Sequence, residues 1–300
     1  MRTAGRRCRL YGGSTERFLD ARRVETLVEQ AKEGDRESLE QVIETIQDRV
    51  YGLAIRMLSH PADAEDATQE ILIKVVTHLG EFRGESAFTS WVYRIACNHL
   101  LTTRKRRAER TEVNFESVER HVDDALAASS AHVSPAAEQG LLVQEVMMAC
   151  THVILVCLNR DLRLTYILGE VLEMPSEEGA AILEITPAAF RKRLSRARTQ
   201  IRNAMQATCG LVNPDNRCRC ASLVPHFVKA GWIRPYKLLF AAHPRHNDEV
   251  GVPEAELEQM SERERVAALF RSQPDYMAPA ALLENVRNIM KAASLALQGR

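Results

Sequence analysis

The chain has 300 residues, enough for two or three compact domains, and is 45% apolar but only 5% aromatic, a supply of Ala, Leu, Ile and Val suited to helical cores. Few aromatics and 14 glycines argue against an all-β fold, and seven scattered cysteines argue against a disulfide framework. The 40 basic and 40 acidic residues balance, which excludes a uniformly basic nucleic-acid binder yet hides strong segregation along the chain.

Residues 1–20 carry Arg2, Arg6, Arg7 and Arg9 with no apolar stretch behind them, so a disordered basic arm is predicted rather than a signal peptide. No apolar run is read as approaching the roughly 18 residues of a membrane span, and a cytoplasmic protein without membrane insertion is expected. Residues 21–107 read as consecutive amphipathic helices, broken at Ser59-His60-Pro61 and between Gly80 and Glu85. One helix is predicted from Asp63, as cap, to Gly80, with Ala64, Ala67, Ile71 and Val75 turned inward and Asp66, Gln69 and Glu70 exposed. After the loop Phe82 to Phe88 comes a helix whose stripe is Phe88, Trp91, Val92, Ile95 and His99, while Arg94, Asn98, Leu101 and Lys105 lie elsewhere. It ends in Arg104-Lys105-Arg106-Arg107, more cations than the helix dipole needs, so phosphate contact is expected for some of them. Phe88 and Trp91 could stack unpaired bases, but their spacing favours core packing for Trp91, and Phe82, in a loop, is the better candidate for an exposed ring.

Residues 108–138 hold seven acids and two bases with little apolar period, which reads as an extended acidic linker. Residues 139–207 form a second helical block. Ser176 can cap a short helix with Glu177 and Glu178 in its first turn, stopping near Glu184, and Thr186-Pro187 restarts a helix after a tight turn. That second helix places Phe190, Leu194, Ala197, Ile201 and Met205 on one stripe, and carries Arg191, Lys192, Arg193, Arg196, Arg198 and Arg202 with no acid between Pro187 and Met205. A capped helix, a tight turn and a cationic helix fit a helix-turn-helix, the second helix lying in a major groove with Arg191, Lys192, Ser195 and Arg196 nearest the bases. Residues 208–300 form a Cys-containing extension, a Gly, Asn and Pro-rich break at Cys209–Cys220 followed by helices predicted over Glu254–Arg271 and Pro279–Leu297, the latter with Leu282, Val286, Ile289, Met290 and Ala293 on one face. Cys209, Cys218 and Cys220 with His226 could ligate zinc; reduced loop thiols and a redox-sensing pair are the other readings. Cys97, Cys150 and Cys157, in apolar helical contexts, are read as core residues, and no resident cofactor is otherwise expected. No Gly-rich phosphate loop, nucleophile elbow or H-E-x-x-H is present, so no enzyme is read from the sequence.

Three segments in order, Asp63-Ala-Glu-Asp-Ala-Thr-Gln-Glu70, Phe82-Arg-Gly-Glu-Ser-Ala-Phe88 and Trp91-Val-Tyr-Arg-Ile-Ala-Cys-Asn98, resemble region 2 of sigma-70 family factors of the extracytoplasmic-function type. Thr186-Pro-Ala-Ala-Phe-Arg-Lys-Arg-Leu-Ser-Arg-Ala-Arg198 resembles their region 4 recognition helix, and the likeness spans about Val24 to Ala207. The resemblance implies an all-α fold of two small helical domains and a mainly helical extension. It implies that Asp66, Gln69 and Glu70 dock on core RNA polymerase. Phe82, Ser86, Phe88, Arg94, Asn98, Arg104 and Lys105 would bind the minus-ten element of promoter DNA, and Arg191, Lys192, Ser195, Arg196 and Arg198 the minus-thirty-five element. An anti-sigma factor or other regulator is a further expected partner. The sequence departs from the family at Thr151–Cys157 and Asn159–Asp161, and Ala188-Ala189 replace the usual small pair at the start of the recognition helix. The alternative reading is a stand-alone helix-turn-helix regulator, which binds duplex DNA without polymerase.

Overall fold

The computed structural model describes residues 14–103, 113–128, 137–241 and 254–288. Among them are helices and loops with no strand, only an isolated bridge between Cys209 and Cys218, so the chain is all-α as the sequence predicts.

The first block comprises α1 (Ser14–Lys32), α2 (Arg36–Leu58), α3 (Pro61–Thr77) and α4 (Phe88–Thr102). Helix α1 takes in Ser14 to Asp20, which the sequence assigned to a disordered arm; residues 1–13 of that arm lie outside the described residues. Asp35 caps α2 by accepting from the Ser38 backbone N–H at 2.9 Å. The predicted break after Leu58 is made by Ser59 in the left-handed region at φ 54°, then by His60 as cap and Pro61 in the first turn of α3. Asp63 is therefore not the cap but a buried residue of the first turn, because the cap of α3 falls three residues earlier, at His60. Val42, Ile43, Ile46, Val50, Leu53, Ala67, Ile71, Leu72 and Leu100 close the core of this block.

The acidic stretch is not extended throughout. Phe115–Ala128 is a helix, α5, started by Asn114, whose side chain accepts from the Ser117 N–H at 2.8 Å. Its acids Glu116, Glu119, Asp123 and Asp124 share the exposed side, while Val122 and Ala125 are buried. The apolar stripe outweighs the charge count.

The second block holds α6 (Ala137–Cys157), α7 (Arg160–Tyr166), a π-helical turn (Ile167–Val171), α8 (Ser176–Ile182) and α9 (Pro187–Thr208). Gly140–Cys157 is, contrary to the sequence reading, long and apolar enough by length and composition to cross a membrane. Here it serves as a core helix. Its buried Glu145 carboxylate accepts from the backbone N–H groups of Leu239, Phe240 and Ala241 at 2.8, 3.0 and 2.7 Å, and Thr151 accepts from Gln273 at 2.7 Å. These partners lie far along the chain, so the polar residues of α6 gave no local sign of burial.

A helix unread in the sequence, α10 (Cys220–Lys229), contains Pro225, which disguised it. Leu223, Val224 and Phe227 bury with Ile233 against Ala125 and Val146. The predicted helix over Glu254–Arg271 is two, α11 (Glu254–Glu258) and α12 (Glu262–Arg271), because Ser261 and Glu264 form a capping box that starts a new helix. Residues 280–288 form α13, with Leu282 and Val286 buried; Ile289, Met290 and Ala293 lie outside the described residues.

The extension packs on both blocks. Phe270 meets Tyr166 edge-on at 5.2 Å, and the Tyr276 hydroxyl lies 2.8 Å from His152 Nε2. Arg56 of α2, itself buried, lies 4.8 Å from the Tyr276 ring and donates to the Pro274 carbonyl at 3.1 Å. The two blocks also touch directly: Arg163 donates to the Met57 carbonyl at 2.6 Å, and Ser90 to Glu178 at 3.1 Å.

Candidate nucleic-acid interface

At the end of α3 and along α4, Phe82, Phe88 and Trp91 form an aromatic triad with centroids 5.3 to 5.7 Å apart. Phe82 is not the exposed ring its loop position suggested; it is 5% exposed, and Lys32 Nζ donates to its carbonyl at 2.7 Å while lying 5.4 Å from its ring. Phe88 is buried at 2%. Both support the half-buried Trp91, which reverses the roles predicted for Phe82 and Trp91. The buried stripe of α4 is Phe88, Val92, Tyr93, Ala96, Cys97, His99 and Leu100, so Trp91 and Ile95 sit at its edge.

Trp91 lines a cleft of about 300 Å³ with Lys74, His78, Glu81, Ile95, Asn98, His99 and Thr102. Lys74 Nζ is 3.0 Å from His99 Nδ1, and Glu70 reaches His99 Nε2 at 3.4 Å. Cation, imidazole, amide and indole thus share one wall, the combination that holds an unstacked base beside a phosphate. Asn98 is exposed here, whereas Ser86 and Arg94 are half-exposed and do not line this cleft. Arg104 and Lys105 lie outside the described residues. Lys74 and His78 were missed in the sequence, where their spacing of four at the end of α3 was the available signal. On the same flank of α3, one and two turns before Lys74, Asp66 and Glu70 are exposed, with Gln69 half-exposed beside them, giving one acidic and amide face.

The helix-turn-helix forms as predicted at its core. Thr186 accepts from the Ala189 N–H at 3.2 Å, Pro187 takes the first turn of α9, and Phe190, Leu194, Ala197, Ile201 and Met205 are all buried. The helices cross closely: a Cβ on Gly179 would stand 2.5 Å from the Phe190 ring. Ser176 is the first residue of α8 rather than its cap; Pro175 holds that position and makes no side-chain cap bond. Arg191, Lys192, Ser195 and Arg196 are exposed together, and Arg191 is only 3.5 Å from Glu177. Arg198 departs from the expected set. Its guanidinium pairs with the buried carboxylate of Glu170, which also takes Arg271 at 2.5 Å, so it points into the fold.

Residues 42–111 match the Sigma-70 region 2 family. The RNA polymerase sigma-H factor of Pseudomonas aeruginosa is 33% identical over 183 residues, covering 60% of this chain and 92% of that protein. The ECF RNA polymerase sigma-E factor of Escherichia coli K12 is 30% identical over 185 residues, 61% of this chain and 94% of its own. The chain belongs to the extracytoplasmic-function group of the sigma-70 family. A solved structure of CnrH in complex with the cytosolic domain of CnrY superposes with a TM-score of 0.44 at 22% identity, over 62% of this sigma factor and 98% of CnrH.

Four thiols of this sigma factor, those of Cys150, Cys209, Cys218 and Cys220, gather at the junction of α6, α9 and α10. Cys209 and Cys218 are bridged through their backbones, with the Gly210 N–H donating to the Cys218 carbonyl at 3.1 Å. Gly210 is required: a Cβ there would lie 2.3 Å from that carbonyl and 1.6 Å from Arg219 Nη1. Cys150 of α6 joins them, close enough for its thiol to feel Cys209, Cys218 and Cys220. His226 instead turns to Phe227 and Trp232, with ring centroids 6.1 Å away. Burial pushes Cys218 up to about 11 and Cys220 up to about 12, and raises Cys209 and Cys150 as well. The six described cysteines are free thiols, and among the described residues no three His, Cys, Asp or Glu side chains are placed to hold a metal ion. Cys97 is fully buried, as expected, while Cys157 is only half-buried.

Proposed function

We propose that this sigma factor binds core RNA polymerase and directs promoter recognition, strand separation and transcription initiation, working in the cytoplasm and without catalysis of its own. One observation carries the reading: a single chain presents the Trp91 cleft, suited to an unpaired base, and the cationic face of α9, suited to a duplex major groove. The first would take the minus-ten element, with Trp91 as platform and Lys74, His78 and Asn98 beside it. Phe82 and Phe88 would position that platform from behind. The second would take the minus-thirty-five element through Arg191, Lys192, Ser195 and Arg196. Asp66, Gln69 and Glu70 would dock on the clamp helices of the largest polymerase subunit.

Separation of the strands needs no nucleotide hydrolysis on this account. Capture of an extruded base offsets an unstacking cost of a few kcal/mol. The relatives named as RNA polymerase sigma factors support the partner.

The test is run-off transcription with purified core polymerase and genomic promoter fragments. Discrete transcripts are expected only when the protein is added. Asp66→Lys is expected to abolish co-elution with core while leaving the helical content intact; Asp66 is preferred because Glu70 also contacts His99. If core stays silent and the protein alone shifts duplex DNA, a stand-alone regulator is the correct account.

A further inference from the structure

The two surfaces assigned above lie on blocks that touch. Ser90 of α4 donates to Glu178 of α8 at 3.1 Å, so the Trp91 cleft and the recognition helix are neighbours. On a promoter their targets are roughly 25 base pairs apart, about 85 Å of duplex at 3.4 Å per base pair. One chain cannot reach both while its blocks are in contact.

Residues 262–287 run across both blocks and bind each. On the helix-turn-helix side, Arg271 donates to the Glu170 carbonyl at 2.9 Å and to its carboxylate at 2.5 Å, and pairs with Glu173 at 3.0 Å. Within the extension itself, Arg265 donates to the carbonyl of Val212, just past α9, at 2.9 Å. On the α2 side, the Ala278 N–H donates to Asp48 at 2.9 Å, and Arg287 pairs with Glu40 at 3.0 Å and Glu44 at 3.2 Å. Between them stands Tyr276, 3% exposed, against Arg56 of α2 on one side and bonded to His152 of α6 on the other. The segment leaves Asp66, Gln69 and Glu70 uncovered.

We infer that residues 262–287 are an intramolecular clasp that holds the chain closed, docking-competent toward polymerase but unable to span a promoter until the segment lets go of α2. The inference rests on the sigma reading for its consequence, not for its geometry. The α2 side is the releasable one: its contacts are two ion pairs on half-exposed side chains, the Ala278 bond to Asp48, the Arg56 bond to the Pro274 carbonyl and the Tyr276 ring, whereas on the other side Arg271 anchors on a buried carboxylate that it shares with Arg198 of α9.

The test uses the full chain with Tyr276→Ala, Ala278→Pro and Arg287→Glu together, read by small-angle scattering and by run-off transcription. A compact chain of this length has a radius of gyration of about 19 Å, and release is expected to raise it by roughly 3 Å or more. Run-off at limiting core should rise several-fold, with co-elution on core unchanged. A second comparison guards against misfolding: Arg287→Glu alone should expand partially, and adding Glu40→Lys with Glu44→Lys should close the chain again, which unfolding would not do. An unchanged radius in the triple variant overturns the clasp. Expansion without a rise in transcripts, where the wild type does transcribe, overturns its inhibitory role. A wild type and an opened triple variant both silent on core would sink the sigma reading instead, and the scattering would still decide the clasp.

Discussion

Arg198 lies on α9, yet its guanidinium binds Glu170, a carboxylate only 6% exposed on the turn behind that helix. The pair ties α9 to the π-helical turn that follows α7. Removing one arginine leaves Glu170 with Arg271 alone, so Arg198→Ala is expected to cost about 2–4 kcal/mol of stability, below or within the range for breaking a buried pair. Denaturant midpoints measure this. Lys192→Ala, by contrast, is expected to weaken upstream promoter binding with little change in midpoint; the reverse pattern would place Arg198 on DNA.

Phe82 and Trp91 are expected to separate in the same way. Trp91→Ala should reduce open-complex formation by roughly 5 to 150-fold, the range for one lost base stack of about 1–3 kcal/mol, with modest loss of stability. Phe82→Ala should instead destabilise the fold by about 3–5 kcal/mol, as truncation of a buried ring does. Permanganate footprinting and thermal denaturation on both variants check the division.

His152 titrates far below its usual range. Burial is the main cause and the nearby Arg56 the second, and together they hold the imidazole at about 3 against 6.5 in the unfolded chain. The unfolded state therefore takes up a proton that the folded state refuses as the pH falls below about 6.5, and stability is lost down to about 3. By pH 5 the loss from this one group is about 2 kcal/mol. His152→Gln, which keeps a polar group for Tyr276, should flatten the fall in denaturant midpoint between pH 7 and pH 5; an equal fall in both proteins would show that His152 is not buried neutral.

The thiols at Cys150, Cys209, Cys218 and Cys220 are expected to alkylate slowly in the native protein at pH 8. For Cys218, raised to about 11, the rate should climb about tenfold per pH unit, following the thiolate. Metal analysis of the same sample is expected to find no stoichiometric zinc. Fast native alkylation, or one zinc released per chain, would reassign the cluster.

Helix α9 was legible because its signals are local. Thr186-Pro187 and the stripe from Phe190 to Met205 lie within a few turns of one another. The same holds for the break at Ser59-His60-Pro61. Phe82 was misread because Lys32 and Phe88, which cover it, arrive through tertiary packing. The acids of α5 outnumber its bases yet all face one way, so charge composition misled where position would not have. Glu170 and Cys150 meet partners 28 to 101 residues away or more, beyond the reach of any periodicity.

The bond from Ala278 to Asp48 joins residues 230 positions apart. At roughly 5–20 residues per second, about 10–50 s pass on the ribosome between the making of Asp48 and of Ala278. Throughout that interval Arg56 and Asp48 lack these late partners. A stalled or truncated translation product ending before residue 262 would keep the direct contacts of Arg163 with Met57 and Ser90 with Glu178, but would lack the clasp that ties the proposed DNA-facing surfaces across both blocks.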